Sequence, residues 1–290
     1  MREFAVMRDL RIAARRPLLQ RARGVTLIEL MVALTIGSFL MIGAVTVLTQ
    51  SRTAYRVMES AARLQENARF ALDALEPDIR MASYFGLTSR SNKIQGRATP
   101  QAPIPRGLSV GNDCGPNWGI NVAEEVSGTN NGYGWTCPAY GRAAQPAADT
   151  VVVRRVSEAP NTPPLTRGTL YVQSARFEDS QLFVGPLVPA GYPPATSQTH
   201  RLIVHGYYVS AHSSLDTPGN DVPSLRVKIL VGGARGPRIV DQEVLPGVED
   251  LQVQFGIDTD DVGGVGRGSI DRYVNPGDPI LDPLSGAFNP

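Results

Sequence analysis

Residues 21–48 read RARGVTLIELMVALTIGSFLMIGAVTVL. The apolar part of this stretch, residues 25–48, is 24 residues long and holds a single charge, Glu29. At 1.5 Å per residue, a helix of this length spans about 36 Å, which is enough to cross a bilayer with some tilt. We therefore predict that residues 25–48 form the membrane-spanning half of a helix.

A basic leader, residues 1–24, precedes the apolar stretch. It holds seven arginines against two acidic residues, whereas the rest of the chain holds 21 basic and 25 acidic side chains. Because basic flanks stay in the cytoplasm, we predict a single-pass inner-membrane protein with a cytoplasmic N-terminus and a periplasmic head. The mildly acidic remainder argues against nucleic-acid binding, which needs a basic face.

Glu29 distinguishes this segment from simpler membrane signals. A secretory signal peptide has a shorter apolar core and is cut after it. A plain anchor has no use for a carboxylate, which costs about 2.5–3.5 kcal/mol near the middle of the membrane and less near its edge. A cut between Gly24 and Val25 would instead create a charged amine at the positive end of the helix dipole. We expect Glu29, of the same or a neighbouring chain, to neutralise that amine.

The pattern from Gly24 through Val25 to Glu29, followed by an apolar helix, resembles the signal of type IV prepilins and type II secretion pseudopilins. The resemblance implies cleavage after Gly24 by the prepilin peptidase and N-methylation of Val25 by the same enzyme. It also implies assembly with other minor and major pilins, and a final location in a pilus at the cell surface. Val25 departs from the phenylalanine that is usual at the new terminus.

The following block, residues 49–86, is predicted to continue the helix with an amphipathic half. A helix from residue 25 to about 84 is roughly 90 Å long, and Pro77 is expected to kink or end it. Its apolar positions recur at spacings of three and four, which predicts one face of residues 54–80 packed on a sheet. These positions are Met58, Ala61, Leu64, Ala68, Leu72, Leu75 and Ile79.

The rest of the chain predicts a head of mixed structure. Residues 87–148 are rich in turn-forming residues and predict an irregular region, in which Cys114 and Cys137 favour a disulfide if the head is exported. Residues 149–257 predict an antiparallel sheet, and residues 258–290 an acidic, Gly- and Pro-rich tail. The predicted strands are Thr150–Val156, Thr169–Gln173, Gln181–Val184, Arg201–Ser210, Leu225–Val231 and Val248–Ile257. The fold class is therefore α+β, and the leader pattern makes it type IV pilin-like.

Two further segments, residues 64–86 and 245–258, are similar to minor pilins of the PilW type. That resemblance implies a priming or tip complex with other minor pilins and a tip adhesin, serving pilus biogenesis, twitching motility and adhesion. The alternatives are a J-like minor pseudopilin of type II secretion and a membrane-anchored adhesive domain that does not assemble. The apolar strand that usually follows an acidic turn in this family is missing before Pro290, which is typical of a shorter or truncated variant.

The remaining polar residues predict no enzyme and no cofactor, because no Ser-His-Asp or Cys-His pairing has supporting context. Strand alternation places His205 opposite His200 and His212, which favours surface or turn histidines over a metal site. A calcium candidate is the acidic stretch with Asp258, Asp260 and Asp261, which Asp271 could approach from across the loop. The stretch lacks the EF-hand spacing, so a solvated acidic turn is the preferred interpretation.

Overall fold

The computed structural model describes residues 24–88, 90–99, 102–103, 107–260 and 268–281. The predicted leader, apart from Gly24, lies outside the described residues, and so does about half of the predicted tail, including Asp261. The chain divides into two compact units, Met1–Arg63 and Leu64–Pro290. The head and the last turns of the long helix belong to the second unit.

The long helix α1 spans Leu27–Arg80. By length and composition, it is the one described helix that could cross a membrane, and every side chain from residue 25 to 48 is exposed. The helix ends before the predicted residues 84–86, because Ser83 adopts a left-handed backbone with φ 68°. Pro77 lies inside the helix and does not end it.

The described part of the head contains ten strands, most of them in a single sheet. Their bounds are β1 Ile94–Gln95, β2 Val126–Thr129, β3 Thr150–Val156, β4 Leu170–Ala175, β5 Ser180–Val184, β6 Ser197–Ser210, β7 Ser224–Val231, β8 Arg238–Pro246, β9 Phe255–Ile257 and β10 Arg272–Val274. The large sheet has the order β1-β5-β4-β6-β3-β2, and β7 joins β6 to β8. Strands β9 and β10 form a separate antiparallel pair. The described pairs are antiparallel except β1 with β5. Three short 3-10 helices lie at Ser91–Lys93, Tyr140–Arg142 and Pro279–Leu281.

The predicted strand Val248–Ile257 is wrong in most of its length. The chain forms β8 before it, at Arg238–Pro246, and residues 248–254 belong to no strand. Two hydrogen bonds to Asp149 hold this segment: Asp149 N–H donates to Leu251 O, and Val253 N–H donates to Asp149 Oδ2, both at 2.8 Å. Its alternating apolar side chains pack on the sheet core. The alternation therefore indicates burial of one side of the segment and not pairing with another strand.

The expectation that no strand follows the acidic turn is also wrong. Strand β10 follows that turn and pairs with β9, with Tyr273 opposite Gly256 and Val274 opposite Phe255. The strand has only three residues and one buried side chain, Val274. A segment this short carries too little apolar periodicity to be recognised from sequence.

The large sheet buries apolar side chains on both faces, because alternate residues of β3 point in opposite directions. On one face, Val151 and Val153 pack with Leu75 of α1. On the other face, Val152 and Val156 pack with side chains of the region between α1 and β3. These include Phe85, Ile94, Trp118, Ile120 and Val122. The region predicted as irregular therefore covers the face opposite the helix.

The helix packs on the sheet through a face that includes the predicted Leu75 but is otherwise shifted by one residue from the predicted face. Leu75 and Asp78 are its buried residues, and Ala71 and Ala74 pack against the same core. By contrast, Leu72 and Ile79, both on the predicted face, are 68% and 54% exposed. Small alanines allow the helix to approach the sheet closely, so the packed face follows side-chain size as well as hydrophobicity.

Candidate functional site

The predicted cleavage site lies immediately before the long helix. Residues 24–26 have no regular structure, and α1 begins at Leu27. Val25 is 72% exposed, and a Cβ added at Gly24 would meet no atom within 4 Å. Among the described residues, the bond between Gly24 and Val25 therefore lies in an exposed, non-helical stretch of backbone.

Thr26 and Glu29 form a capping box at the start of α1. Thr26 N–H and its hydroxyl donate to Glu29 Oε2 at 3.1 and 3.0 Å, and Glu29 N–H donates to Thr26 Oγ1 at 3.3 Å. These reciprocal bonds satisfy backbone donors that the first turn of a helix leaves free. The carboxylate is thus held beside the residue that follows the predicted new terminus.

Glu29 was predicted as a site residue from the sequence, whereas Thr26 was not. The signal was present, because Thr-x-x-Glu before an apolar run is the sequence signature of a capping box. The geometry also indicates that the Glu29 carboxylate of the same chain can supply the counter-charge for the new amine. A carboxylate within 3.1 Å of Thr26 N is already close to the backbone of its own N-terminus.

A second polar site fixes the end of α1 to the sheet. Asp78 Oδ1 accepts a hydrogen bond from Arg155 Nε at 2.9 Å and lies 2.8 Å from Arg155 Nη2 in an ion pair. Asp78 Oδ2 lies 2.6 Å from Tyr207 Oη and 2.5 Å from His205 Nδ1. A carboxylate in the last turns of a helix is disfavoured by the helix dipole. The hydrogen bonds from these partners stabilise the Asp78 carboxylate against that effect.

Ionisation of Asp78 depends on this arrangement. Burial opposes the charged form, but hydrogen bonds from His205, Tyr207 and Arg155 and the charge of the histidine outweigh it. Together they lower the pKa of Asp78 to about 2. We term these four residues the Asp78 anchor, since they join the helix end to β3 and β6.

The disulfide predicted between Cys114 and Cys137 is present, and both residues are buried. An aromatic cluster lies beside it, with the Trp118 and Trp135 ring centroids 5.5 Å apart. Gly206 of β6 makes room for this cluster, because a Cβ there would lie 2.8 Å from each indole. The disulfide loop can therefore pack directly on the sheet backbone.

Arg154, on β3, forms hydrogen bonds with the same loop. Its guanidinium is fully buried, and it donates to Trp118 O, Glu124 O and Ser127 Oγ at 2.6–3.2 Å. Burial lowers its pKa to about 10, and no carboxylate lies within ion-pair distance of it in the described part of the chain. Nearby, burial raises the pKa of Asp113 to about 6, although two backbone N–H groups donate to this carboxylate.

Two of the histidines, His200 and His205, differ from the prediction of surface or turn positions, whereas His212 lies in the loop after β6 as predicted. His200 is fully buried, with Nδ1 2.8 Å from Ser157 O, and burial lowers its pKa. His205 belongs to the Asp78 anchor, and His212 contacts carboxylates of its own loop. Strand alternation could not predict the positions of His200 and His205, because each depends on a partner elsewhere in the chain.

The acidic turn after β9 brings three carboxylates together. One oxygen each of Asp258, Asp260 and Asp271 lies within 4.8 Å of the others. The carboxylates also accept backbone N–H bonds, from Thr259 to Asp271 at 2.6 Å and from Gly268 to Asp258 at 2.6 Å. These bonds suit the preferred interpretation of an acidic turn, and calcium binding stays a prediction.

Residues 19–45 match the family model of the prokaryotic N-terminal methylation motif. No curated protein and no solved structure matches the chain. The motif contains Gly24, Val25 and Glu29, and it supports a type IV pilin-like or pseudopilin protein. It implies processing by a peptidase and assembly with other pilins, fits membrane anchoring, and suggests a structural subunit and not an enzyme. The long N-terminal helix, the mostly antiparallel head and the disulfide complete an α+β, type IV pilin-like fold.

Proposed function

We propose that the chain is a minor pilin of a type IV pilus, of the PilW type, that helps to initiate filament assembly in a tip complex. The observation that carries the proposal is the methylation motif over residues 19–45, which includes the first turns of an exposed apolar helix. A helix of this kind has two suitable environments, which are lipid before assembly and the helices of other subunits afterwards.

Each residue of the motif has a distinct role in this proposal. The prepilin peptidase cuts after Gly24 on the cytoplasmic side and methylates the amine of Val25. Glu29 then neutralises this amine, and Thr26 holds the carboxylate in position. Residues 25–48 leave the inner membrane for the filament core, while the head stays on the periplasmic side and reaches the cell surface with the pilus.

The form of the head supports a minor subunit over a repeating shaft subunit. One face of its sheet is covered by a long disulfide-closed region, with several exposed turns around it. Such a bulky head suits a filament end better than a closely repeated position. The similarity of residues 64–86 and 245–258 to PilW-type minor pilins favours the same assignment. A J-like minor pseudopilin is the second candidate, because pseudopilins carry the same motif.

Processing is tested by substitution at the cleavage site. Gly24→Val should leave a full-length precursor on a gel, because a branched side chain blocks approach of the peptidase. The native chain should remain uncut in cells that lack the prepilin peptidase. Normal processing in those cells would refute the proposal.

Assembly is tested by complementing a deletion strain and counting surface pili. Glu29→Ala should be cut normally but restore few pili, because the new amine lacks a counter-charge. The matched control is Glu59→Ala, which removes a glutamate from an exposed i,i+4 pair with Arg63 on the same helix. Full piliation with Glu29→Ala would favour an anchored domain that does not assemble. Normal piliation in the deletion strain, with loss of secretion, would favour the pseudopilin.

A further inference from the structure

We propose that His212, Asp216 and Asp221 form a zinc site in the connection between β6 and β7. One ligand atom of each residue lies within 4.8 Å of the other two. His212 Nδ1 is 2.8 Å from Asp216 Oδ2 and 3.6 Å from Asp221 Oδ1. The imidazole nitrogen therefore faces two carboxylates that come from the same loop.

The two distances from the imidazole nitrogen are close to those between the ligand atoms of a zinc ion. With Zn–N and Zn–O bonds of about 2.0–2.2 Å, neighbouring ligand atoms in a tetrahedral site are about 3.3 Å apart. The two observed distances, 2.8 and 3.6 Å, lie on either side of that value. The two carboxylate oxygens lie no more than 4.8 Å apart, so small side-chain movements would bring all three atoms around one ion, which would replace the proton shared by His212 and Asp216.

Two of the three ligands are already fixed in place. Asp216 Oδ1 accepts N–H bonds from Ser213 at 3.0 Å and Val222 at 2.9 Å, which turns Oδ2 towards the imidazole. The His212 ring packs against Gly141, whose φ is 63° and where an added Cβ would overlap the ring. Asp221, with a side chain 67% exposed, is the ligand that remains free to close on the ion.

The two carboxylates of the cluster favour binding of a cation. Within the described residues, no lysine or arginine forms an ion pair with Asp216 or Asp221, and His212 is their shared partner. An imidazole with two carboxylates suits zinc, whereas calcium and magnesium prefer oxygen ligands alone. Three protein ligands leave a fourth position for water or for a donor from another molecule.

The test is zinc titration of the full-length protein, purified in detergent without a histidine tag and freed of metal with EDTA. Calorimetry should show one zinc ion bound per chain with micromolar affinity, and calcium should not compete. Asp221→Asn and His212→Gln should each weaken zinc binding about tenfold or more. Asp221 is exposed, so its variant should fold, which tryptophan fluorescence will verify.

The matched control is Asp271→Asn, the same substitution in the carboxylate-only cluster after β9. It should leave the zinc affinity unchanged. Cobalt in place of zinc should give the strong visible absorption of a tetrahedral site in the native chain and in the control, and not in Asp221→Asn. Absence of saturable zinc binding, or equal affinity in the native chain and both loop variants, would overturn the proposal.

Discussion

Replacing Asp78 with asparagine removes the charge that joins the end of α1 to the sheet. Lowering the pKa of this carboxyl from 3.8 to about 2 corresponds to roughly 2 kcal/mol of native-state stability at neutral pH. Asp78→Asn should therefore lower the free energy of unfolding by about 2 kcal/mol. Asp78→Ala should cost more, about 3–5 kcal/mol, because it also removes the oxygen atoms that accept from Arg155 and Tyr207 and leaves the buried guanidinium without a charged partner.

The pH dependence of this loss has a definite sign. Because folding lowers the pKa of Asp78, the ionised form stabilises the native state fully above the unfolded pKa, near pH 4. The contribution disappears as the pH falls towards about 2. The difference in the free energy of unfolding between the native chain and Asp78→Asn should thus be largest at pH 5–7 and become smaller as the pH is lowered to 3.

Urea unfolding of the full-length protein in detergent, followed by tryptophan fluorescence, measures this difference. Both tryptophans lie in the head. The matched control is Asp73→Asn, whose exposed carboxylate pairs with Arg69 on the same helix, and it should leave the free energy of unfolding unchanged. A loss below about 0.5 kcal/mol for Asp78→Asn, or a loss that is the same at pH 7 and pH 3, would refute the role of the Asp78 anchor.

Three further substitutions test the head by the same urea assay. Gly206→Ala should cost about 1–3 kcal/mol, because its Cβ would collide with two indole rings; an unchanged midpoint would contradict the packing. Asp113→Asn should stabilise the protein above pH 6, by up to about 3 kcal/mol, and match it below pH 4, since burial raises that pKa to about 6. Replacing Cys114 and Cys137 with serine should cost about 3 kcal/mol, and reductant should then have no further effect.

The features that sequence predicts best are local ones. The apolar run after Gly24 predicts the start of α1, and Thr150–Val156 is predicted with the bounds that the structure shows. Cys114 and Cys137 were expected to pair because an exported head favours disulfides, and they do. Each of these inferences depends on residues close in sequence, or on a chemical property that few residue types share.

The features that sequence misses depend on distant partners. Asp78 meets Arg155 and His205, which lie 77 and 127 positions away, and no periodicity in one segment reveals such a pairing. The packed face of the helix was misjudged because Leu72 is more apolar than Ala71, yet the smaller side chain lies against the sheet. Pairing and close packing are set by the tertiary fold.

The most direct test of the central claim, that this chain is processed as a prepilin and built into filaments, is mass spectrometry of its N-terminus. Filaments are sheared from cells, and the terminal peptide of this subunit is isolated and fragmented. We expect a peptide that begins with N-methylated Val25, with residues 1–24 absent. Recovery of the chain with an uncut leader, or its absence from the filaments while it remains in the membrane fraction, would contradict the claim.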